Sequence, residues 1–240
     1  MNNRSNNSKS TIIGQNIAFY NEIAGSYDNI LDKENFNKLV REKVADKFCS
    51  IVKSGQVLDF GGGTGRDLDW LTNNNYHIFF CEPSVAMREK AIEYNQTILH
   101  NDTIVFLDYK TTDFTTWQHD LSFLQKMDAV LSNFAVFNCI PDIELLFKSL
   151  STIVKPGGHL LALILDNRFR KVMRSHFKSA VRSFIFRTPV QFNVQFNQHQ
   201  QTVYIHTTGQ IKKASETYFD FHNQEFLREY GYSLIHLIRK

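Results

Sequence analysis

The stretch Asp59-Phe60-Gly61-Gly62-Gly63-Thr64-Gly65 carries the densest chemical information in the chain. Glycines after a short apolar run let the backbone turn tightly and let a ligand lie directly against it. A helix starting just beyond would aim its unpaired N–H groups at the same spot. That arrangement suits a nucleoside at the carboxyl edge of a parallel sheet. A dinucleotide fingerprint spaces its glycines Gly-x-Gly-x-x-Gly, whereas here the spacing is Gly61-x-Gly63-x-Gly65, one residue tighter. Asp59 stands just before the turn, where a carboxylate would repel a pyrophosphate and attract an ammonium. A second acid, Glu82, lies 17 residues past Gly65 at the end of the next apolar run. A carboxylate there can accept both hydroxyls of a ribose. The two acids call for a ligand that joins an ammonium to a nucleoside without phosphate, a description that S-adenosylmethionine meets.

To position these residues the chain must alternate strands and helices. Phe36, Leu39, Val40, Val44, Phe48 and Val52 recur at helical spacing and are followed by Gly55. Strands are expected at 57–60, 77–81, 104–107, 129–131 and 159–165, with helices at 66–73, 85–94 and 143–153, the last closed by Lys155-Pro156-Gly157-Gly158. This alternation predicts a mostly parallel α/β sheet covered on both faces, with the apolar run 159–165 central. After Asp166 the character changes. A helix with Lys171, Arg174, Lys178 and Arg182 on one side is expected, then strands at 190–196 and 202–206, a helix at 208–217, and closing strands at 218–226 and 232–238.

The hydrophobic content of 42% suffices for one full core in 240 residues, so a disordered chain is excluded. Residues 1–10, rich in Asn and Ser, are expected to be a disordered tail, and they lack the apolar segment of a secretory signal. No run approaches the 18 apolar residues of a membrane span. Cys49, Cys81 and Cys139 are scattered, which reads as free thiols in a reducing cytoplasm and implies no metal site. A net charge of +3 is too small to indicate nucleic acid by itself.

Four stretches in order resemble the class I S-adenosylmethionine-dependent methyltransferases, small-molecule branch. They are Val57 to Gly65, Cys81-Glu82-Pro83-Ser84-Val85-Ala86-Met87, Asp128 to Phe134, and Val154-Lys155-Pro156-Gly157-Gly158. Upstream, Phe19 to Asp28 is similar to the lead segment of that branch. Phe134 to Asp142 is similar to a stretch of quinone-pathway C-methyltransferases but departs where they carry Gly-Leu-Arg. The resemblance spans about Phe19 to Leu165 and continues more loosely to the end. It implies a Rossmann-like seven-stranded sheet with helices on both faces and an antiparallel last strand, in a single domain over 11–240 with a small cap insertion at 166–217. It implies that Asp59, Gly61 and Gly63 hold the methionine end, with Gly65 completing the turn. Glu82 and Pro83 would meet the ribose side, and Ser84 and Met87 would line the adenine. Asp108 and Tyr109 would border the adenine amine, and Asn133 and Phe134 would lie below the sulfonium. Tyr20 and Tyr27 would close over the cofactor. Met87 and Phe134 suit plain core packing as well, and Tyr20 and Tyr27 suit a helix-packing face.

Methyl transfer from a sulfonium is an in-line displacement that needs alignment more than acid–base chemistry. The chain shows no catalytic dyad. His206 and His176 are the candidates for a base, should an acceptor have to lose a proton. Phe184, Phe186, Phe192, Phe196 and Tyr204 could form a substrate pocket or the cap's own core. The basic helix could draw an anionic substrate or simply face water. A small-molecule substrate is expected. A nucleic-acid (RNA) methyltransferase is the rival, opposed by Ser132-Asn133-Phe134-Ala135, which lacks the Asp/Asn-Pro-Pro-aromatic run of base-amine methylation. A non-catalytic S-adenosylmethionine sensor would carry the same loop. An NAD-dependent oxidoreductase is opposed by the glycine spacing and by Asp59.

Overall fold

The computed structural model describes residues 2–32, 36–98, 102–119, 126–168, 174 and 188–240. Its first half runs α1 (Asn2–Asp32), α2 (Phe36–Ile51), β1 (Gln56–Phe60), α3 (Leu68–Asn73), β2 (His77–Cys81), α4 (Val85–Tyr94) and β3 (Ile104–Phe106). A 3₁₀ turn (Phe114–His119) precedes β4 (Met127–Ser132), and a second (Val136–Cys139) precedes α5 (Ile143–Ile153). The chain closes with β5 (Val154–Leu165), β6 (Val190–Phe196), β7 (His199–Ile205), α6 (Thr208–Ser215), β8 (Phe219–Leu227) and β9 (Tyr232–Arg239).

Seven strands form one sheet in the order β3-β2-β1-β4-β5-β9-β8. The first five pair parallel, and β9 runs antiparallel between β5 and β8. Strand order reverses between β1 and β4, so a crevice opens at their carboxyl ends, where α/β sheets bind ligands. That edge carries Asp59, the glycine turn and Asn133. The expected mostly parallel seven-stranded sheet with an antiparallel last strand is what forms.

Local chemistry sets the helix ends. Asp142 accepts from the Leu145 N–H at 3.0 Å and so caps α5. Thr207 and Gln210 form a reciprocal capping box on α6. On one face of the sheet, α5 buries Ile143, Leu146, Phe147, Leu150 and Ile153 against Leu58, Phe60, Trp117, Ile235 and Leu237. On the other, α2 buries Val40, Val44 and Phe48 against Val57, Leu71, Ile78, Leu131 and Leu161. These are the i, i+3, i+4 stripes of helices on a sheet.

Two expectations need correction. Residues 2–10 are not a separate tail but the first turns of α1, which runs unbroken to Asp32. Lys9 ties this helix to the fold, with its Nζ 2.7 Å from Asp142 Oδ2. β7 begins at His199 rather than Thr202, because a two-residue turn led by Asn197 at φ +52° pairs Phe196 directly with His199. The aromatics of β6 and β7 pack within the fold. Phe196 packs against Phe19, Ile23 and Met87, and Phe192 against Val190 and Ile205. His176, Phe184, Phe186, Lys171, Lys178 and Arg182 lie outside the described residues, and Arg174 is exposed.

Candidate functional site

A cavity of about 960 Å³ lies over the carboxyl ends of β1 and β4, roofed by α1. Tyr20, Tyr27, Gly61, Gly63, Glu82, Pro83, Met87, Tyr109, Asn133 and Phe134 all line it, so ten of the residues singled out from the sequence converge there. Four do not line it. Asp59 is buried at the end of β1. Gly65 turns at φ +73°, where a Cβ would stand 2.7 Å from Asn95 Nδ2 and 2.9 Å from Ala91, so its role is to let α4 approach. Ser84 is fully buried, caps α4 through the Met87 N–H and donates to Asn21 Oδ1 at 2.8 Å, which fastens α1. Asp108 is exposed and spends its carboxylate on Thr111 within its own turn, which holds its pKa below the usual aspartate range.

The glycine turn and the β2 acid are built as one unit. Glu82 Oε2 accepts from the Gly63 N–H at 2.9 Å, and Oε1 accepts from the Ser84 N–H at 2.8 Å. Each oxygen keeps a second lone pair for a ligand hydroxyl. Burial pushes the Glu82 carboxyl up to about 7, against the pull of those two bonds. Gly63 sits at φ +58°, and among the described residues only Tyr27 comes near the space a side chain would take, at 3.9 Å, so its backbone faces the open cavity. Thr64 donates to Asp28 Oδ1 at 2.7 Å, and the Arg66 guanidinium meets the same carboxylate at 3.1 Å, so the end of α1 is anchored to the turn.

Beside the turn lies a charge network that the sequence did not disclose. Asp67 is buried and pairs with Arg41 of α2 at 2.6 Å. It also accepts from Asn133 Nδ2 at 3.1 and 3.2 Å and from Trp70 Nε1 at 2.8 Å. The Arg41 guanidinium lies 4.6 Å from the Phe134 ring centroid. Among the described residues Asp59 Oδ2 is buried without a hydrogen-bond partner. Burial and the neighbouring Asp67 push the Asp59 carboxyl up, and Arg41 only partly opposes them. Asp59 thus sits beside the like-charged Asp67 and Glu82, and the neighbouring Arg41 guanidinium is already paired with Asp67. No spacing rule links position 41 to position 67. Only the packing of α2 against the turn brings them together.

Phe134 and Ala135 follow β4 in the left-handed region, at φ +48° and +66°. Two successive non-glycine residues there are strained, and such strain gathers at ligand sites. It is held by the Ala135 N–H bond to Leu163 O at 2.8 Å and by Asn133 Oδ1 accepting from the Phe134 N–H at 3.0 Å.

His206 does not reach the cavity. It is buried, hydrogen-bonds the Ile140 backbone, and is pushed down to about 4 by desolvation, so its imidazole is neutral near pH 7. Among the described residues no cluster of three or more His, Cys, Asp or Glu is arranged to hold a metal, and no helix is long and apolar enough to cross a membrane.

The sheet order, the glycine turn and the acid closing β2 define the Rossmann-like architecture of class I S-adenosylmethionine-dependent methyltransferases. A methyltransferase-domain profile matches residues 32–216. The chain belongs to that methyltransferase-domain family. No curated protein matches it in sequence. Solved structures share the fold at low identity. The DhpI–SAM–HEP complex is 16% identical with a TM-score of 0.67, covering 95% of this chain and 98% of that one. An S-adenosylmethionine-dependent methyltransferase from Clostridium acetobutylicum is 14% identical with a TM-score of 0.63, covering 90% and 98%. The 1,6-didemethyltoxoflavin-N1-methyltransferase of Burkholderia thailandensis, with 1,6-didemethyltoxoflavin and S-adenosylhomocysteine bound, is 11% identical with a TM-score of 0.62, covering 92% and 87%.

Proposed function

We propose that this methyltransferase moves the methyl group of S-adenosylmethionine onto a small-molecule acceptor by in-line displacement. The observation that carries the reading is the surplus of buried carboxylate at the glycine turn. Asp59, Asp67 and Glu82 crowd one another there, and the Arg41 guanidinium is already paired with Asp67. A ligand ammonium relieves that imbalance, whereas a diphosphate would deepen it. The open backbone at Gly63 and the doubly anchored Glu82 fit this cofactor.

In this reading Glu82 takes the ribose hydroxyls, Met87 packs on the adenine, and Arg41 offers its guanidinium to the amino acid carboxylate. When bound, the cofactor supplies a methyl group already activated on a sulfonium. The chain contributes alignment and exclusion of water, which can be worth roughly 7–11 kcal/mol of barrier. Tyr20 and Tyr27 on α1 and Phe134 on the β4 tip wall off the cavity. At about 960 Å³ the cavity is at the top of the roughly 300–1,000 Å³ range of small-molecule pockets, leaving room for a second, small ligand.

Calorimetry with S-adenosylhomocysteine and NAD side by side tests the reading. S-Adenosylhomocysteine should bind and NAD should not. Tight NAD binding would overturn it. Binding without turnover of S-adenosylmethionine on any acceptor would instead leave a sensor. Salt-sensitive binding of an RNA oligomer would move the acceptor to nucleic acid.

A further inference from the structure

The cavity extends past the glycine turn into a chamber walled by Ile13 and Ile17 of α1, Ile140, and Leu145 of α5. The polar side chains bordering it are mostly committed elsewhere. Asn16 spends its amide on backbone, with Nδ2 donating to Cys139 O and Thr202 O and Oδ1 accepting from the Thr202 N–H. Asp142 caps α5 and pairs with Lys9.

Tyr20 differs. Gln201, reaching in from β7, shares one amide nitrogen between the Tyr20 hydroxyl at 2.8 Å and Cys139 Sγ at 3.0 Å. The Tyr20 oxygen thus already accepts a hydrogen bond. The only partner for its own proton among the described residues is Cys139 Sγ, a weak acceptor at 3.5 Å. That sulfur is in turn engaged by Gln201 and lies 3.7 Å from Ala135 O. A hydroxyl that accepts one bond becomes a better donor of its own. The Tyr20 ring stands 6.1 Å from that of Tyr27, the residue over Gly63, and Cys139 continues the wall away from the turn. Tyr20 and Cys139, the pair that holds this hydroxyl, both line the cavity.

We infer that Tyr20 donates a hydrogen bond to an oxygen or nitrogen lone pair on a mainly apolar methyl acceptor, and that Gln201 is the positioning residue that aims it. This rests on the proposed function, because the chamber is an acceptor site only if the turn holds the cofactor. Burial pushes the Tyr20 hydroxyl well above the ordinary tyrosine range, so it stays a donor across the working pH.

The test uses full-length protein saturated with S-adenosylhomocysteine, probed by 19F NMR with 4-fluorophenol, 4-fluoroanisole and fluorobenzene. The oxygen-bearing probes should bind about fivefold tighter than fluorobenzene, the worth of one hydrogen bond. Tyr20→Phe should erase that preference, and Gln201→Leu should reduce it, while fluorobenzene affinity holds. A merely structural role would weaken all three probes together. Equal affinity of the probes for the native chain, no binding of any, or a preference surviving in Tyr20→Phe overturns the inference and leaves the proposed function standing. Failure of S-adenosylhomocysteine to bind at the outset overturns both.

Discussion

Titrating the medium from pH 8 to pH 6 should switch off ribose binding through a single carboxyl. Glu82 in the folded chain titrates near 7 because it is buried, and it must be ionised to accept two hydroxyl protons. At pH 8 about nine-tenths of the chains carry the carboxylate and at pH 6 about one-tenth, so a ligand that needs it loses roughly tenfold in affinity, about 1.4 kcal/mol. 5′-Methylthioadenosine is the right probe, since it brings adenine and ribose without a titrating amino acid end. Folding moves the opposite way. The folded pKa lies above the ordinary value of 4.5, so the native chain holds a proton that the unfolded chain releases. Stability is fully present below pH 4.5 and falls by about 3 kcal/mol as pH rises through 7. The free protein should therefore lose stability across that window just as ligand binding strengthens. Glu82→Gln should flatten both profiles and weaken the probe at pH 8 by about 1–3 kcal/mol. Isothermal calorimetry and thermal unfolding at the two pH values read the effect. Equal probe affinity at pH 6 and 8 in the native chain, or a slope that persists in Glu82→Gln, refutes the assignment.

Other perturbations reach other parts of the molecule. Gly63→Val puts a side chain into the cavity at φ +58° and should abolish S-adenosylhomocysteine binding while circular dichroism keeps the native spectrum. Phe147→Ala empties a fully buried site between α5 and the sheet and should cost about 3–5 kcal/mol in denaturant unfolding, with little change in ligand affinity per folded molecule. Asn16→Ala leaves the Cys139 and Thr202 backbone groups without their partner and should cost about 1–3 kcal/mol, with hydrogen exchange quickening in α1 and β7 ahead of the central strands.

Much of this was readable because the local signals were strong. Apart from Asp59 and His159, the runs at 57–60 and 159–165 are apolar on both faces, as befits buried parallel strands, and Gly61 and Gly63 mark a turn that needs positive φ. α1 was harder. Its first residues are Asn and Ser, which favour caps and turns over helix interiors, so no periodicity announced it. The start of β7 was hidden by the polar His199-Gln200-Gln201. Arg41 and Asp67 escaped because an ion pair between a helix and a distant turn leaves no mark in spacing. Ser84 and Asp108 hold the right positions along the chain, but one serves a helix end and the other its own loop.

α1 has a consequence for traffic through the protein. One continuous rod supplies Lys9 at the mouth, Asn16 on the hairpin, Tyr20 beside the chamber, Tyr27 above Gly63 and Asp28 on Thr64. Under the proposed function, displacing that rod for either guest would loosen the berth of the other, so that cofactor and acceptor would share one doorway.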